Sequence, residues 1–274
     1  MSYIRQATKT DKDTYVGSEI MGNKLVSKVI LAEHGLSVPR GGKYSDLESA
    51  LANYQVYFGK KIVIKPTTSN YGLGIQILKC DDKKIFQQSI KAAFQHDDSI
   101  IVEEFIEGQE YRFLVIGKKV ISVLNRIPAN VIGNGKDTVI KLVKIKNLDP
   151  NHFKSAKAYI RTGQIEKNIL SDQKFTFKSI PKNNQQVWLR HNSNISTGGD
   201  PIDVTDETPK KFKEVAIRAA QALGGHICGI DIIIKGDNYS IIEANYNPSL
   251  YIHEVLYSGK SQNTPLAVLK YLGY

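Results

Sequence analysis

The chain has 274 residues, 41% hydrophobic and 23% charged, with a net charge of +10 and a pI of about 9.3. That composition describes a water-soluble globular protein with room for two subdomains, and excludes collagen-like, low-complexity and disordered chains. Its lysines are scattered with no run of five or six like charges, so a small polyanionic ligand is expected and a nucleic acid is not. Cys80 and Cys228 stand far apart, no CxxC occurs and the histidines are isolated, which argues against a disulfide framework or a Cys/His metal site. No stretch approaches the roughly 20 apolar residues of a membrane span. The N-terminus has no apolar signal core, so the expectation is a cytoplasmic protein with no membrane partner.

Residues 1–18 read as a polar, irregular arm. Residues 23–34 read as a helix, with Leu25, Val26, Val29, Ile30 and Ala32 spaced for one buried face and Gly35 as its stop. A second helix is predicted over 46–58, opened by Asp46, and a strand over 61–66, stopped by Pro66. There follow a glycine-bearing loop over 69–74, a strand over 75–78, a helix over 82–94 and a strand over 100–106. Beyond Gly108 a hairpin joins 111–116 to 120–125, and residues 128–185 mix helix and loop signals. An amphipathic helix over 209–223 is closed by Gly224 and Gly225, a hairpin follows over 229–245, and a helix spans 263–272. Helices mixed with antiparallel hairpins give the class α+β.

The last hairpin carries the clearest chemical signal. Glu243 and Asn245 are two apart on a strand and leave the same face. A loop of Gly236, Asp237 and Asn238 sets Asp231 opposite Glu243. Three oxygen-bearing side chains then converge, a donor set suited to Mg²⁺ and phosphate; the plainer alternative is the wet face of a hairpin. Upstream, Gly72 and Gly74 lie between two strands with Lys65 ending the first, so backbone N–H groups and a lysine can meet phosphate. This is neither a P-loop nor a Rossmann turn. Glu103 ends a buried-looking strand and suits an adenine amino edge, with Glu110 on the ribose; a solvated strand end is the alternative. From Arg190 to Asp200 polar groups crowd beside Gly198 and Gly199. Arg190 offers a planar fork for a phosphoryl or carboxylate group, and Arg126 is a second arginine in a lysine-rich chain.

Taken in order, these pieces resemble the ATP-grasp superfamily: Asn23-Lys24, Val63 to Pro66, the glycine loop, Val102 to Phe105, Gly229-Ile230-Asp231, and Ile242 to Pro248. D-alanine–D-alanine ligases share the outline. A fuller likeness is to the C-terminal module of bifunctional glutathione synthases, in which a glutamate–cysteine ligase is fused to a glutathione synthetase. Residues 23–28, 65–75, 110–113, 126–131, 190–200 and 243–248 carry it. The resemblance implies an arm of residues 1–19 and two α+β subdomains, 20–106 and 107–274, with nucleotide between them. It implies Lys24 and Lys65 on ATP phosphates and Tyr71, Gly72 and Gly74 in a lid over them. Glu103 and the backbone near Phe105 and Ile106 take adenine, and Glu110 takes ribose. Asp231, Glu243 and Asn245 hold two Mg²⁺, with Mn²⁺ as an alternative ion. Arg126 and Arg190 stabilise an acyl phosphate and the tetrahedral centre after it. Asn192, Asn194, Ser196, Thr197, Gly198 and Gly199 face the acceptor. Gly229 departs from the D-alanine ligases, which carry arginine there, and no glutamate–cysteine ligase region is present in the chain.

The implied reaction joins a carboxylate to an amine through an acyl phosphate, with γ-glutamylcysteine and glycine giving glutathione, ADP and phosphate. Two alternatives stand beside it: an ATP-grasp ligase of cyanophycin-type or natural-product specificity, and a non-catalytic nucleotide-binding module. The implied partners are small amino acids or peptides and a separate or fused glutamate–cysteine ligase, and a homodimer is left open.

Overall fold

The computed structural model describes residues 4–6, 9–67, 74–152 and 159–274. The expected arm gives way to a short hairpin, β1 (Ile4–Gln6) with β2 (Lys9–Thr10), and to helix α1 (Tyr15–Gly22). The Thr14 hydroxyl caps α1 by accepting from the Gly17 N–H at 3.0 Å. Asn23 then opens α2 (Lys24–Glu33), its side-chain oxygen accepting from the Leu25 and Val26 N–H groups at 3.1 and 3.2 Å. The buried face of α2 differs from the one its apolar spacing predicts. Ser27, Lys28 and Leu31 are buried, whereas Val26, Val29 and Ala32 are exposed. The reason is partnership: Leu31 enters an apolar core, and Lys28 meets a carboxylate from a distant strand.

Next come β3 (Gly41–Tyr44), α3 (Leu47–Ala52), α4 (Tyr54–Tyr57), β4 (Lys61–Pro66), β5 (Gln76–Lys79), α5 (Lys83–Phe94) and β6 (Ile100–Glu104). The single helix expected over 46–58 is two short helices meeting at Asn53. The strands form an antiparallel sheet in the order β3-β6-β4-β5. Ile62, Ile64, Ile100 and Val102 from its strands pack with Tyr57, Phe86 and Ile90 from the helices.

The second half supplies β7 (Gln109–Ile116), β8 (Lys119–Ile127), β9 (Asn130–Ile132), α6 (Val139–Leu148), α7 (Gln164–Asp172) and β10 (Gln186–Trp188). A short 3-10 turn at Ile195–Thr197 leads to β11 (Asp200–Asp203), α8 (Lys210–Ala222), β12 (Ile227–Lys235), β13 (Asn238–Asn245), α9 (Tyr251–Glu254) and α10 (Thr264–Leu272). A five-stranded antiparallel sheet runs β11-β8-β7-β12-β13. On one face Phe113, Val115, Cys228, Ile230 and Ile241 pack against Met21, Leu31, Phe212 and Ala219 of α1, α2 and α8. On the other, Leu114, Ile116 and Ile227 meet Val268 and Leu272 of α10. A satellite lobe of β9, β10, α6 and α7 has its own core of Val131, Val139, Leu170 and Leu189. Helix α2, grouped by the sequence with the first subdomain, therefore docks on the five-stranded sheet. Among the described residues no helix is long and apolar enough to cross a membrane.

Candidate active site

The five-stranded sheet sets out a row of charge across neighbouring strands. Asp231 on β12 is the register partner of Arg112 on β7 and of Glu243 on β13. The hairpin reaches this pairing by an unexpected route. Its turn holds two residues, with Lys235 opposite Asn238, and a bulge at Ile242 restores Asp231 to Glu243. Gly236 takes φ +59° in that turn, a left-handed conformation glycine adopts without penalty.

Asp231 is 1% exposed and held by two guanidiniums. Arg112 donates from Nε to Oδ1 and from Nη2 to Oδ2, the latter at 2.7 Å. Arg126 Nη2 donates to Oδ2 at 2.9 Å and also to Glu110. Burial works to raise the Asp231 carboxyl pKa, but Arg112 and Arg126 outweigh it and hold it below the usual carboxylate range. Burial likewise opposes charge on Arg126, and Asp231 with Glu110 overcomes it and raises its pKa. Arg112 has its room because residue 229 is glycine: a Cβ there would lie 2.8 Å from Arg112 Cδ. Behind the row, His253 is fully buried with Nδ1 2.8 Å from Ser122 Oγ. Burial, then Arg112 and Arg126, push its pKa down to about 3, so its ring is neutral near pH 7.

Glu243 is the open end of the row, with Lys24 Nζ from the first turn of α2 at 3.3 Å. Asn245 lies two residues on, its side-chain Nδ2 buried without a hydrogen-bond partner. A half-turn of the amide exchanges nitrogen for oxygen at that point. Among the described residues no group of three His, Cys, Asp or Glu is arranged for a metal; the expected set is two carboxylates and an amide. A carboxylate has about four acceptor positions, and Asp231 uses three on arginine. Asp231, Glu243 and Asn245 thus retain hard oxygen donors that fit a divalent cation such as Mg²⁺.

Glu103 at the end of β6 is 4% exposed. Its oxygens accept from Lys28 of α2 and Lys65 of β4. Burial works to raise its pKa, and Lys65 and Lys28 outweigh it and lower it. Burial, reinforced by repulsion from Lys65, pushes the Lys28 pKa down to about 8. Lys24 and Lys28 are one helical turn apart and share a face, so α2 reaches Glu243 with one lysine and Glu103 with the other. The Phe105 N–H donates to the Lys61 carbonyl at 2.9 Å, and Lys61 Nζ lies 4.0 Å from the Phe105 ring centre. Ile106 follows, half-buried, in the link to β7. Gly74 has φ +73°, and a Cβ there would sit 2.7 Å from Pro66 Cγ. Tyr71 and Gly72 lie outside the described residues.

Arg190 sits apart from the Asp231 row. Its Nη2 is 2.5 Å from Glu166 Oε1, while Glu166 Oε2 accepts from the Gly163 N–H at 2.8 Å. In the following loop, Thr197 Oγ1 lies 3.1 Å from Asn192 Oδ1 and 2.9 Å from the Asn194 carbonyl, two acceptors for its one proton. Ser196 is half-buried, whereas Thr197, Gly198 and Gly199 are buried. A Cβ at Gly198 would come 2.5 Å from Ile160 Cγ1, and one at Gly199 2.9 Å from the Ile127 carbonyl. Both glycines therefore serve close packing. Asp200 anchors the loop's end by accepting from Lys146 at 2.6 Å and from Asn130 at 3.0 Å, with His152 Nδ1 also at 3.0 Å. Sequence reasoning missed Lys28, Arg112, Glu166 and His253. Two of them carried a signal: Lys28 follows Lys24 by four, and Arg112 alternates with Glu110 along a strand.

The crystal structure of a bifunctional glutathione synthetase from Pasteurella multocida matches 99% of this chain and 39% of that one, with a TM-score of 0.71 and 38% identity. The family described as D-ala D-ala ligase C-terminus matches residues 36–134, and that described as RimK-like ATP-grasp domain matches residues 178–259. The chain has the ATP-grasp fold. This ATP-grasp chain is 44% identical over 283 residues to the glutathione biosynthesis bifunctional protein GshAB of Clostridium perfringens. It is 46% identical over 282 residues to the protein of that name from Listeria innocua. Each match covers 99% of this chain and 36% of the relative, so the chain spans little more than a third of the curated relatives it matches.

Proposed function

We propose that the chain is an ATP-dependent carboxylate–amine ligase, ADP-forming, that joins γ-glutamylcysteine to glycine and so makes glutathione. What carries this is a row of charged groups that links the two sheets. It runs from Glu103 with Lys65 and Lys28, along α2 to Lys24, then to Glu243, Asp231, Arg126 and Glu110. A nucleoside triphosphate needs an acceptor for its base, cations for its phosphates and an acidic oxygen set for its metal, and this line offers all three in order. The names of the 40–46% identical relatives supply the product.

In this reading the nucleotide lies between the four-stranded and five-stranded sheets, with Glu103 accepting from the adenine amino group and Glu110 from ribose. Lys65 exchanges Glu103 for phosphate, and Lys24 neutralises phosphate beside Glu243. Asp231, Glu243 and Asn245 would hold two Mg²⁺, or Mn²⁺ on the same oxygens; bound there, the ions offset charge on the phosphates. The dipeptide carboxylate attacks the γ-phosphorus, ADP leaves, and the amine displaces phosphate from the acyl phosphate. Arg126 and Arg190 are the cations offered to the acyl phosphate and the oxyanion after it. Asn192, Asn194 and residues 196–199 border the acceptor. The dipeptide comes from a glutamate–cysteine ligase, fused or separate, in the cytoplasm.

The test is phosphate release with product masses across dipeptides and amino acids. γ-Glutamylcysteine with glycine gives the highest rate and the mass of glutathione. Efficient ligation of another pair with none of this one overturns the glutathione assignment. No ATP-dependent ligation of any pair overturns the ligase.

A further inference from the structure

Three buried charged groups meet where the nucleotide base is placed, and only two have been given work. Lys28, Lys65 and Glu103 have side chains 10%, 13% and 6% exposed, and both lysines donate to the one carboxylate. We propose that Lys28 is a positioning residue of the nucleotide site, the fixed partner that holds Glu103 ionised and oriented for the adenine amino group when Lys65 leaves for the phosphates. This rests on the reading of Glu103 as the adenine acceptor.

The geometry separates the two lysines. Lys65 comes from β4, within the same sheet as Glu103, one residue before Pro66 at the strand's end. Lys28 comes from the middle of α2, which is docked on the other sheet through Leu31. Its neighbour Ser27 donates to the Ile20 carbonyl at 2.6 Å, fixing α2 to α1. One turn earlier, Lys24 already reaches the Glu243 end. Lys28 is thus the cation that comes from the other sheet's side and whose reach is taken by Glu103.

Charge leads to the same division. Two cations on one anion leave an unbalanced positive charge out of water, which is costly. A triphosphate relieves it by drawing one lysine away, and the remaining lysine and Glu103 form a neutral pair. With Lys28 gone, Glu103 has one cation to share. Either Lys65 stays and is withheld from phosphate, or it leaves and Glu103 faces adenine as an unpaired buried carboxylate. Such a carboxylate takes up a proton, and its acceptor oxygen becomes a donor that no longer suits an amino group.

The experiment measures binding of ATP and of inosine triphosphate, whose base carries a 6-oxo group, by calorimetry on the full chain with Mg²⁺. Wild type, Lys28→Met, Glu103→Gln and the double variant are compared, with melting curves for each. Lys28→Met leaves Glu103 paired with Lys65 in the nucleotide-free protein, and Lys28→Gln is the second variant should the first not fold. Wild type prefers ATP. Loss of a charge-assisted contact weakens ATP binding by about tenfold in Lys28→Met, with inosine triphosphate affected less. KM for ATP rises more than kcat falls, and the double variant binds ATP no worse than Glu103→Gln. An unchanged ATP preference in the Lys28 variants, while Glu103→Gln loses it, overturns the role of Lys28 alone. Additive losses in the double variant overturn it too. An unchanged preference in Glu103→Gln overturns the adenine reading and the inference with it.

Discussion

Asp231 and Glu243 look interchangeable as metal carboxylates, but the structure makes their neutral variants behave differently. Asp231 accepts three hydrogen bonds from Arg112 and Arg126 and is 1% exposed. Asp231→Asn replaces one acceptor oxygen with an NH₂ group that faces a guanidinium, leaving buried positive charge unpaired. Breaking a buried pair in this way costs about 3–5 kcal/mol, which lowers the melting temperature by roughly 10 °C for a chain of this size. Glu243 has a side chain 35% exposed and one ion pair, to Lys24 at 3.3 Å. Glu243→Gln therefore costs at most about 1 kcal/mol, or roughly 2 °C. In the proposed reading both variants lose a charge beside the phosphates, so both lose turnover by about 10²-fold or more. Thermal melts and phosphate release on the same samples separate the two effects. A melting temperature for Asp231→Asn within about 2 °C of wild type refutes the claim that Asp231 is the keystone of the arginine row.

Gly229→Ala puts a Cβ 2.8 Å from Arg112 Cδ. Crowding of that kind costs about 1–3 kcal/mol and tilts Arg112 off Asp231, so stability and turnover both fall; a neutral variant contradicts the space-making role of Gly229. His253 has a folded pKa of about 3 against 6.5 for the free side chain, so between those values the unfolded chain binds a proton that the folded chain refuses. Its stabilising contribution is present above pH 6.5 and lost as pH falls toward 3, and His253→Gln flattens the acid limb of the melting profile; parallel limbs contradict this. Glu166→Gln removes the ion partner of Arg190; kcat/KM for the acceptor falls by about tenfold while ATP affinity holds, and an equal fall in ATP affinity places Arg190 elsewhere.

The last hairpin was legible because strand side chains alternate with a period of two, so Glu243 and Asn245 had to share a face. The pairing of Asp231 with Glu243 was also correct, but by compensation. A turn one residue shorter than expected and a bulge at Ile242 cancel; Gly236-Asp237 is a usual pair for a two-residue turn, but the bulge leaves no local trace in sequence. The face of α2 was misread because apolar periodicity counts only apolar residues. The face actually buried carries Ser27 and Lys28, and Lys28 is buried by a carboxylate 75 residues away. α1 was missed for a related reason: it buries only Gly17 and Met21, too few to set a pattern. Arg112 was visible as a charge two residues from Glu110 on a strand, yet its partner lies 119 positions on, and only the sheet brings them together.

The central claim is that this chain activates a carboxylate with ATP, and isotope transfer tests it most directly. γ-Glutamylcysteine labelled with ¹⁸O in the reacting carboxylate is turned over with glycine and Mg–ATP, and the phosphate is weighed. Attack by that carboxylate on the γ-phosphorus predicts one labelled oxygen in each phosphate, with ADP and glutathione formed in equal amounts. Unlabelled phosphate, or ADP formed without glutathione, contradicts the account.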